Sequence, residues 1–454
     1  MFEHINHAVV KVTRDCNLRC KYCYVADKDK YKNEVMSFDV FKDLVNRIIK
    51  DRIKNNTYRE EFNFTFHGGE PTIIGYDTLN KYLSYAYNEF KINNLNVNFS
   101  IQTNTTLLDE KFLDLFKDYN VAVGISYDGI GDNNKDRTTK ESRHYENIIE
   151  ESRKRHIHLG NICIVNKDNI NTINKNIKYF NKIKLNGKYN YAEDALNVGN
   201  CEISGEEYFN KCIKPMIDYA IKKKSLKYIP DGNLLRIIKS YCNKLLLNNN
   251  KNNLRQSPNN KSICYTKFCG GGCRVLEISP DGSINSCGRY DKDSENSIVG
   301  TIYSNDFLGL QKRTKFYDLI YKKHNAILSH NCDLCESQDI CDFGCMVFSF
   351  IKSKKWDIDS NLVCSYFKLL KKYLYDNINS LMICYINSLF KDKNTIYIDV
   401  KNNSVLDTIR NINIVLNDFS IKNVKAFEDD NWQGDKKDCH QIKLVKKGRF
   451  NIWH

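Results

Sequence analysis

Between His7 and Ala192 the chain alternates strand patterns with helix patterns, and this alternation restricts its fold more than any other feature. Strand-like runs fall at His7–Thr13, Phe62–Phe66, Val97–Thr103, Val121–Ser126 and Ile157–Val165, with a fainter sixth around Tyr189–Ala192. Phe62, Phe64 and Phe66 alternate with polar residues, and Val121, Val123 and Ile125 alternate with Ala122 and Gly124. Helical spacing fills the gaps. Ser37 is placed as an N-cap before Val40, Phe41, Leu44, Val45, Ile48 and Ile49, which recur at the helical period. Tyr76–Phe90, Asp109–Tyr119, Tyr145–Arg155 and Asn169–Ile183 repeat the plan. Such repetition predicts a parallel sheet with right-handed crossovers. Five or six units make a partial barrel, with chemistry expected at the C-terminal strand ends.

The unusual polar clusters fall at those ends. Cys16, Cys20 and Cys23 follow the first strand as C-x3-C-x2-C. Three thiolates are one short of the four that normally hold a 4Fe–4S cluster, which leaves one iron open. His67-Gly68-Gly69-Glu70-Pro71 follows the second strand, Gln102-Thr103-Asn104 ends the third, and Ser126-Tyr127-Asp128-Gly129 ends the fourth.

With 454 residues the chain has length for two or three domains. It has no run of 18 apolar residues and no signal-peptide pattern at its start, so a cytoplasmic location without a membrane span is expected. Eighteen cysteines in a reducing compartment are then cluster ligands, metal ligands or buried small hydrophobes. The net charge of +14 is scattered and forms no block of six like charges. This scatter reads as solvated helix and loop faces, so nucleic acid is not the expected partner, and a basic chain is compatible with an acidic peptide or small anion.

A second cysteine zone runs from Cys264 to Cys364. Cys269-Gly-Gly-Gly-Cys273 leads to Asp281-Gly282, a hairpin signal, and then to Cys287. Cys332-x2-Cys335-x5-Cys341-x3-Cys345 follows, with Cys364 beyond. A polar stretch, Asn248–Lys261, separates this zone from the helical run Ser204–Leu247. After Cys364 a helix is expected over roughly Ser365–Phe390, then a short strand at Thr395–Val400 and a segment without a clear pattern.

The first motif, with Tyr22 just before its third cysteine, resembles the signature of the radical SAM superfamily. The second zone resembles the SPASM extension of those enzymes, because Cys269-x12-Gly282-x4-Cys287 fits its spacing. The resemblance implies an α/β chain: a partial (β/α)6 TIM-like barrel over 1–250, a cysteine-rich SPASM domain with a hairpin and loops over 251–370, and a C-terminal extension over 371–454. It implies three 4Fe–4S clusters and S-adenosylmethionine. Cys16, Cys20 and Cys23 would hold the cluster whose open iron takes the methionyl end. Tyr22, Gly68, Gly69, Glu70, Asn104, Ser126 and Asp128 would border S-adenosylmethionine. Cys269, Cys287 and Cys345 would ligate one auxiliary cluster, with Cys264, Cys273 or no protein group as the fourth ligand. Cys332, Cys335, Cys341 and Cys364 would ligate the other.

Most relatives with this extension modify peptides, so the implied function is oxidative maturation of a ribosomally made peptide by a crosslink, thioether or carbon–carbon bond. The anaerobic sulfatase maturases, which make formylglycine, are the alternative branch. They carry an Asp directly after the hairpin's final cysteine, where this chain has Gly288, with Asp291 three residues on as a substitute. A radical dehydrogenase of a small molecule, and an iron–sulfur or zinc scaffold without catalysis, complete the alternatives. Implied partners are the peptide, an electron donor such as ferredoxin or flavodoxin, and a separate leader-binding protein.

Overall fold

The computed structural model describes residues 5–23, 31–57, 60–135, 137, 142–192, 201–246, 271, 274–285, 287–288, 298–305, 332–341, 344–345, 360–390, 395–401, 405–419, 421, 424–428 and 439–446. Cys264, Cys269, Cys273 and Asp291 lie outside these residues. The chain divides into two compact units, Met1–Lys211 with Ser262–Tyr366, and Cys212–Lys261 with Phe367–His454.

In the first unit the expected strands form a parallel series: β1 (His7–Thr13), β2 (Phe62–Gly68), β3 (Val97–Thr103), β4 (Ala122–Ser126), β5 (Leu159–Val165) and β6 (Gly187–Tyr191). Between them run α1 (Phe38–Lys54), α2 (Tyr76–Ile92), α3 (Glu110–Asp118), α4 (Ser142–Lys154) and α5 (Ile173–Lys182). Ser37 caps α1 by accepting from the Val40 N–H, and Asp109 caps α3 by accepting from Phe112. The α/β architecture is as the sequence implies.

One feature was not legible beforehand. The hairpin strands β7 (Val275–Ile278) and β8 (Ser283–Asn285) do not stand apart from the barrel. β7 pairs in parallel with β1, and β8 and β9 (Ile298–Thr301) follow antiparallel, giving the order β6-β5-β4-β3-β2-β1-β7-β8-β9. The hairpin turns at Asp281-Gly282, where Gly282 has φ 82° and the Asp281 carboxylate accepts from the Ser283 N–H at 3.0 Å.

Strand alternation gives this sheet two unlike faces. Phe62, Phe64 and Phe66 are fully buried against the helices, with Phe41 of α1 stacked on Tyr82 of α2 at 4.5 Å and Phe90 of α2 edge-on to Phe64 at 5.9 Å. Each such buried ring contributes about 1.5–3 kcal/mol. The opposite face is polar. Register places Val9, Thr65, Ser100 and Ala122 in one row with Glu277 and Asn285, and Lys11 beside His67 in the next. Hydroxyls link that face: His7 Nε2 lies 2.7 Å from Thr65 Oγ1, which lies 2.7 Å from Ser100 Oγ.

The second unit holds α7 (Lys214–Lys222), α8 (Gly232–Leu246), α10 (Ile378–Leu389) and most of α9 (Ser360–Asp376); α6 (Gly205–Tyr208) belongs to the first. The single helix expected over 365–390 is thus two. Asn377 divides them, its side-chain amide donating to the Tyr373 carbonyl at 3.0 Å in competition with the backbone ladder. The C-terminal segment forms an antiparallel sheet, β10 (Thr395–Lys401), β12 (Cys439–Lys446) and β11 (Val424–Glu428), in that order. On it lies α11 (Val405–Asp418), whose Asn413 amide brackets Ala426 by bonding both its N–H and its C=O. Among the described residues no helix is long and apolar enough to cross a membrane.

Candidate active site

The loop after β1 carries Cys16, Cys20 and Cys23 and is fastened to four neighbouring strand ends. From β2, the Gly69 and Glu70 N–H groups donate to the Thr13 and Asp15 carbonyls at 2.9 and 2.8 Å. From β3, Asn104 donates to Asn17 Oδ1 at 2.9 Å, and Asn17 donates to Thr106 at 2.8 Å. From β4, Asp128 accepts from the Tyr22 hydroxyl. From β5, Asp168 meets Lys21 at 3.3 Å on the exposed side. Within the loop, the Leu18 N–H approaches the Cys16 sulfur at 3.4 Å and the Cys23 N–H closes a turn on the Cys20 carbonyl.

Gly68 and Gly69 make the β2 contact possible. Gly68 has φ 130°. A Cβ on Gly69 would stand 1.9 Å from the Asp15 carbonyl oxygen, backbone that cannot yield without moving the cysteine loop. Gly69→Ala is therefore expected to cost about 1–3 kcal/mol and to lower the iron bound per chain. Denaturant unfolding and iron analysis check it.

Glu70 is buried between strands. Its carboxylate accepts from the Thr72 N–H and hydroxyl, the Thr103 hydroxyl and the Asn104 N–H, at 2.6 to 3.1 Å. Burial pushes its carboxyl upward, and these donors pull it back. Asp128 is likewise enclosed. Arg137 meets both its oxygens, at 2.9 and 3.0 Å, and the Ile164 N–H donates to it at 2.7 Å. Arg137 also lies 5.2 Å from the centroid of the Tyr22 ring. Burial pushes the Tyr22 hydroxyl well above its ordinary value. Burial also raises Asp128, against Arg137, which remains charged through Asp128, Tyr22 and Cys20. The motif residues Tyr22, Glu70, Asn104 and Asp128 thus hold the cysteine loop in place. Arg137 was missed in the sequence, although it lies nine residues beyond Asp128. Ser126 accepts from Gln102 at 2.9 Å on the polar face.

On that same face Lys11 and Glu277 form an ion pair at 3.6 Å, and both are buried. Glu277 also accepts from Asn285 and, at 3.2 Å, from Ser279. Burial raises the Glu277 carboxyl and Lys11 opposes the rise. His67 accepts from the Gly68 N–H at 2.7 Å through Nδ1, and burial, with Lys11, pushes it down to about 4. It is therefore neutral at physiological pH.

Of the second cysteine zone, Cys287 follows β8, Cys332 and Cys335 close a turn, and Cys341 bonds back to Ser337 at 2.9 Å. The segment of Cys345 approaches that of Cys364, since a Cβ on Gly344 would lie 3.1 Å from Val363. Among the described residues no three His, Cys, Asp or Glu side chains converge on a single ion. Thiolates of a 4Fe–4S cluster bind separate irons and do not require such convergence.

Residues 10–180 match the Radical SAM superfamily, and the chain carries a Radical SAM domain there. Over 351 residues, 73% of this chain and 85% of the relative, it is 28% identical to a cysteine-type anaerobic sulfatase-maturating enzyme of Clostridium novyi (strain NT). Among solved structures it is similar to native anSMEcpe with bound AdoMet and Cp18Cys peptide, with a TM-score of 0.64 and 22% identity, covering 83% of this chain and 98% of that one. It is also similar to Streptococcus suis SuiB bound to precursor peptide SuiA, with a TM-score of 0.53 and 14% identity, covering 80% and 76%. Both likenesses establish a shared fold that extends well beyond residue 180.

Proposed function

We propose that this chain is a radical SAM maturase that oxidises a side chain of a peptide or protein. The observation that carries this is the three-cysteine loop, tied to four strand ends on the rim where barrel chemistry belongs. The residues fit the group: thiolates at Cys16, Cys20 and Cys23, an N–H aimed at a sulfur, and flanking polar rims. Cys16, Cys20 and Cys23 would hold the 4Fe–4S cluster, and Tyr22, Gly68, Gly69, Glu70, Asn104, Ser126 and Asp128 would border S-adenosylmethionine. When bound, these groups would supply a 5′-deoxyadenosyl radical. Cys269, Cys287 and Cys345 would hold one auxiliary cluster, with Cys264, Cys273 or no protein group as fourth ligand, and Cys332, Cys335, Cys341 and Cys364 would hold the other.

A peptide or protein substrate is supported by the relatives: one is a sulfatase-maturating enzyme, and two solved neighbours are described with bound peptides. A crosslink in a ribosomally made peptide is the favoured product, since Gly288 stands where formylglycine formers have Asp. Formylglycine formation is the second reading, favoured by the long alignment with the Clostridium novyi enzyme. On this reading the chain works in the cytoplasm, takes electrons from a ferredoxin or flavodoxin, and uses residues 371–454 or a separate leader-binding protein to recognise its substrate.

The test incubates reconstituted enzyme with S-adenosylmethionine, dithionite, and peptides encoded by neighbouring short reading frames or carrying a sulfatase-type cysteine. A crosslinked peptide two hydrogens lighter is expected. An aldehyde on the cysteine peptide alone would select the second reading. Unchanged peptides throughout would overturn the maturase.

A further inference from the structure

We propose that His144 is a positioning residue: from α4 it holds Thr105 in a left-handed turn, and that turn fastens the cysteine loop behind Cys16. That S-adenosylmethionine binds at this rim rests on the maturase reading above. Thr105 follows β3 with φ 68° and is fully buried. Elsewhere positive φ falls where it is easily adopted: Asn56, Asn94 and Asn120 stand directly after the C-caps of α1, α2 and α3. Thr105 follows a strand instead, and among the described residues it is the one β-branched side chain with positive φ. For such a residue the conformation is strained, and it persists only where the surroundings over-determine it.

Two of the bonds that hold it are local. The Thr105 N–H donates to Thr103 Oγ1 at 2.9 Å, and its carbonyl accepts from the Leu108 N–H at 3.0 Å. The others come from α4, 39 residues along the chain. His144 Nε2 lies 3.1 Å from the Thr105 carbonyl oxygen and 3.3 Å from its hydroxyl, and the hydroxyl also bonds the Tyr145 phenol. A carbonyl only accepts, so Nε2 donates there. One ring nitrogen thus clamps both the backbone and the side chain of the strained residue.

The turn joins its two neighbours to a single residue of the cysteine loop. Asn104 donates to Asn17 Oδ1 at 2.9 Å, and Asn17 Nδ2 donates to Thr106 Oγ1 at 2.8 Å. Thr106 closes the triangle by donating to Asn104 Oδ1, through its N–H at 3.0 Å and its hydroxyl at 2.6 Å. Both ends of the Asn17 amide are therefore committed to this turn, and Asn17 directly follows Cys16. A negative φ at 105 would redirect the chain after Asn104 and carry Thr106 out of reach of Asn17.

Glycine adopts positive φ without strain, so the coupling between the two positions is expected to be one-sided. With threonine at 105, His144→Ala should let the turn open; with Thr105→Gly also present, it should do little. The first readout needs no cluster. Cys16 is buried, so a thiol reagent reaches it only through local opening. In anaerobic apoprotein, alkylation of Cys16, read by peptide mass spectrometry, should quicken about fivefold in His144→Ala and return to the wild-type rate in the double variant. His144→Gln, whose amide nitrogen can take the place of Nε2, should behave as wild type. His144→Asn, one methylene shorter, should behave as His144→Ala. In reconstituted enzyme the dissociation constant of S-adenosylmethionine should follow the same order, weakened about tenfold in His144→Ala and restored by Thr105→Gly. A side chain that only fills space would lower the unfolding midpoint without the glycine rescue or the difference between Gln and Asn. Unchanged Cys16 alkylation in both His144→Ala and His144→Asn would overturn the proposal, as would a loss that Thr105→Gly does not restore. Absence of any peptide product from the wild-type enzyme would instead overturn the maturase reading, and the alkylation rates would still decide the role of His144.

Discussion

Asp128→Asn is expected to destabilise the chain by about 3–5 kcal/mol, because it leaves the Arg137 guanidinium buried without a counter-charge. Denaturant unfolding of the apoprotein measures the loss. The same change weakens the contact to the Tyr22 hydroxyl, so the cysteine loop loses its β4 fastening. Iron at the first site should fall as stability falls. Pairing Asp128→Asn with Arg137→Gln should cost less than the two single changes combined, since the double variant strands no full charge. Strict additivity would mean that the two residues act independently.

Changing Cys16, Cys20 and Cys23 together to Ala should abolish 5′-deoxyadenosine formation. It should lower bound iron from about twelve to about eight per chain, the content of two remaining 4Fe–4S clusters. Persistent cleavage of S-adenosylmethionine would remove this loop from the active site. Loss of all iron would show that the auxiliary clusters depend on it for assembly. The two experiments probe different layers of one site. On the proposed reading the cysteines would hold the reactive group, whereas Asp128 and Arg137 fasten, through Tyr22, the loop that carries them.

The repeated strands were legible because each carries its own local signal. His7–Thr13 and Val97–Thr103 agree with β1 and β3 to the residue, and Ser37 caps α1 as its position suggests. The rim motifs were legible as residue types at strand ends. Their work was less so. Glu70 and Asp128 are legible as rim carboxylates, but not the donors the fold gives them, Thr103, Asn104, Ile164 and Arg137. Those donors sit on other strands or beyond a turn, and no local pattern announces them. Glu277 was illegible for the same reason. Within Arg-Val-Leu-Glu-Ile-Ser it is one polar residue in a short strand, and only the pairing of β7 with β1 sets it beside Lys11.

That pairing also has a consequence for how the protein is made. The second partner of His7–Val10, Val275–Ile278, is synthesised more than 260 residues after it. Until then one edge of β1 presents open N–H and C=O groups, and the nascent barrel has a strand border prone to pair with other chains. Glu277, which pairs with Lys11, arrives only with that hairpin. The late hairpin therefore acts as a seal on β1, and truncations ending before residue 275 should aggregate even though every strand–helix unit of the barrel is present.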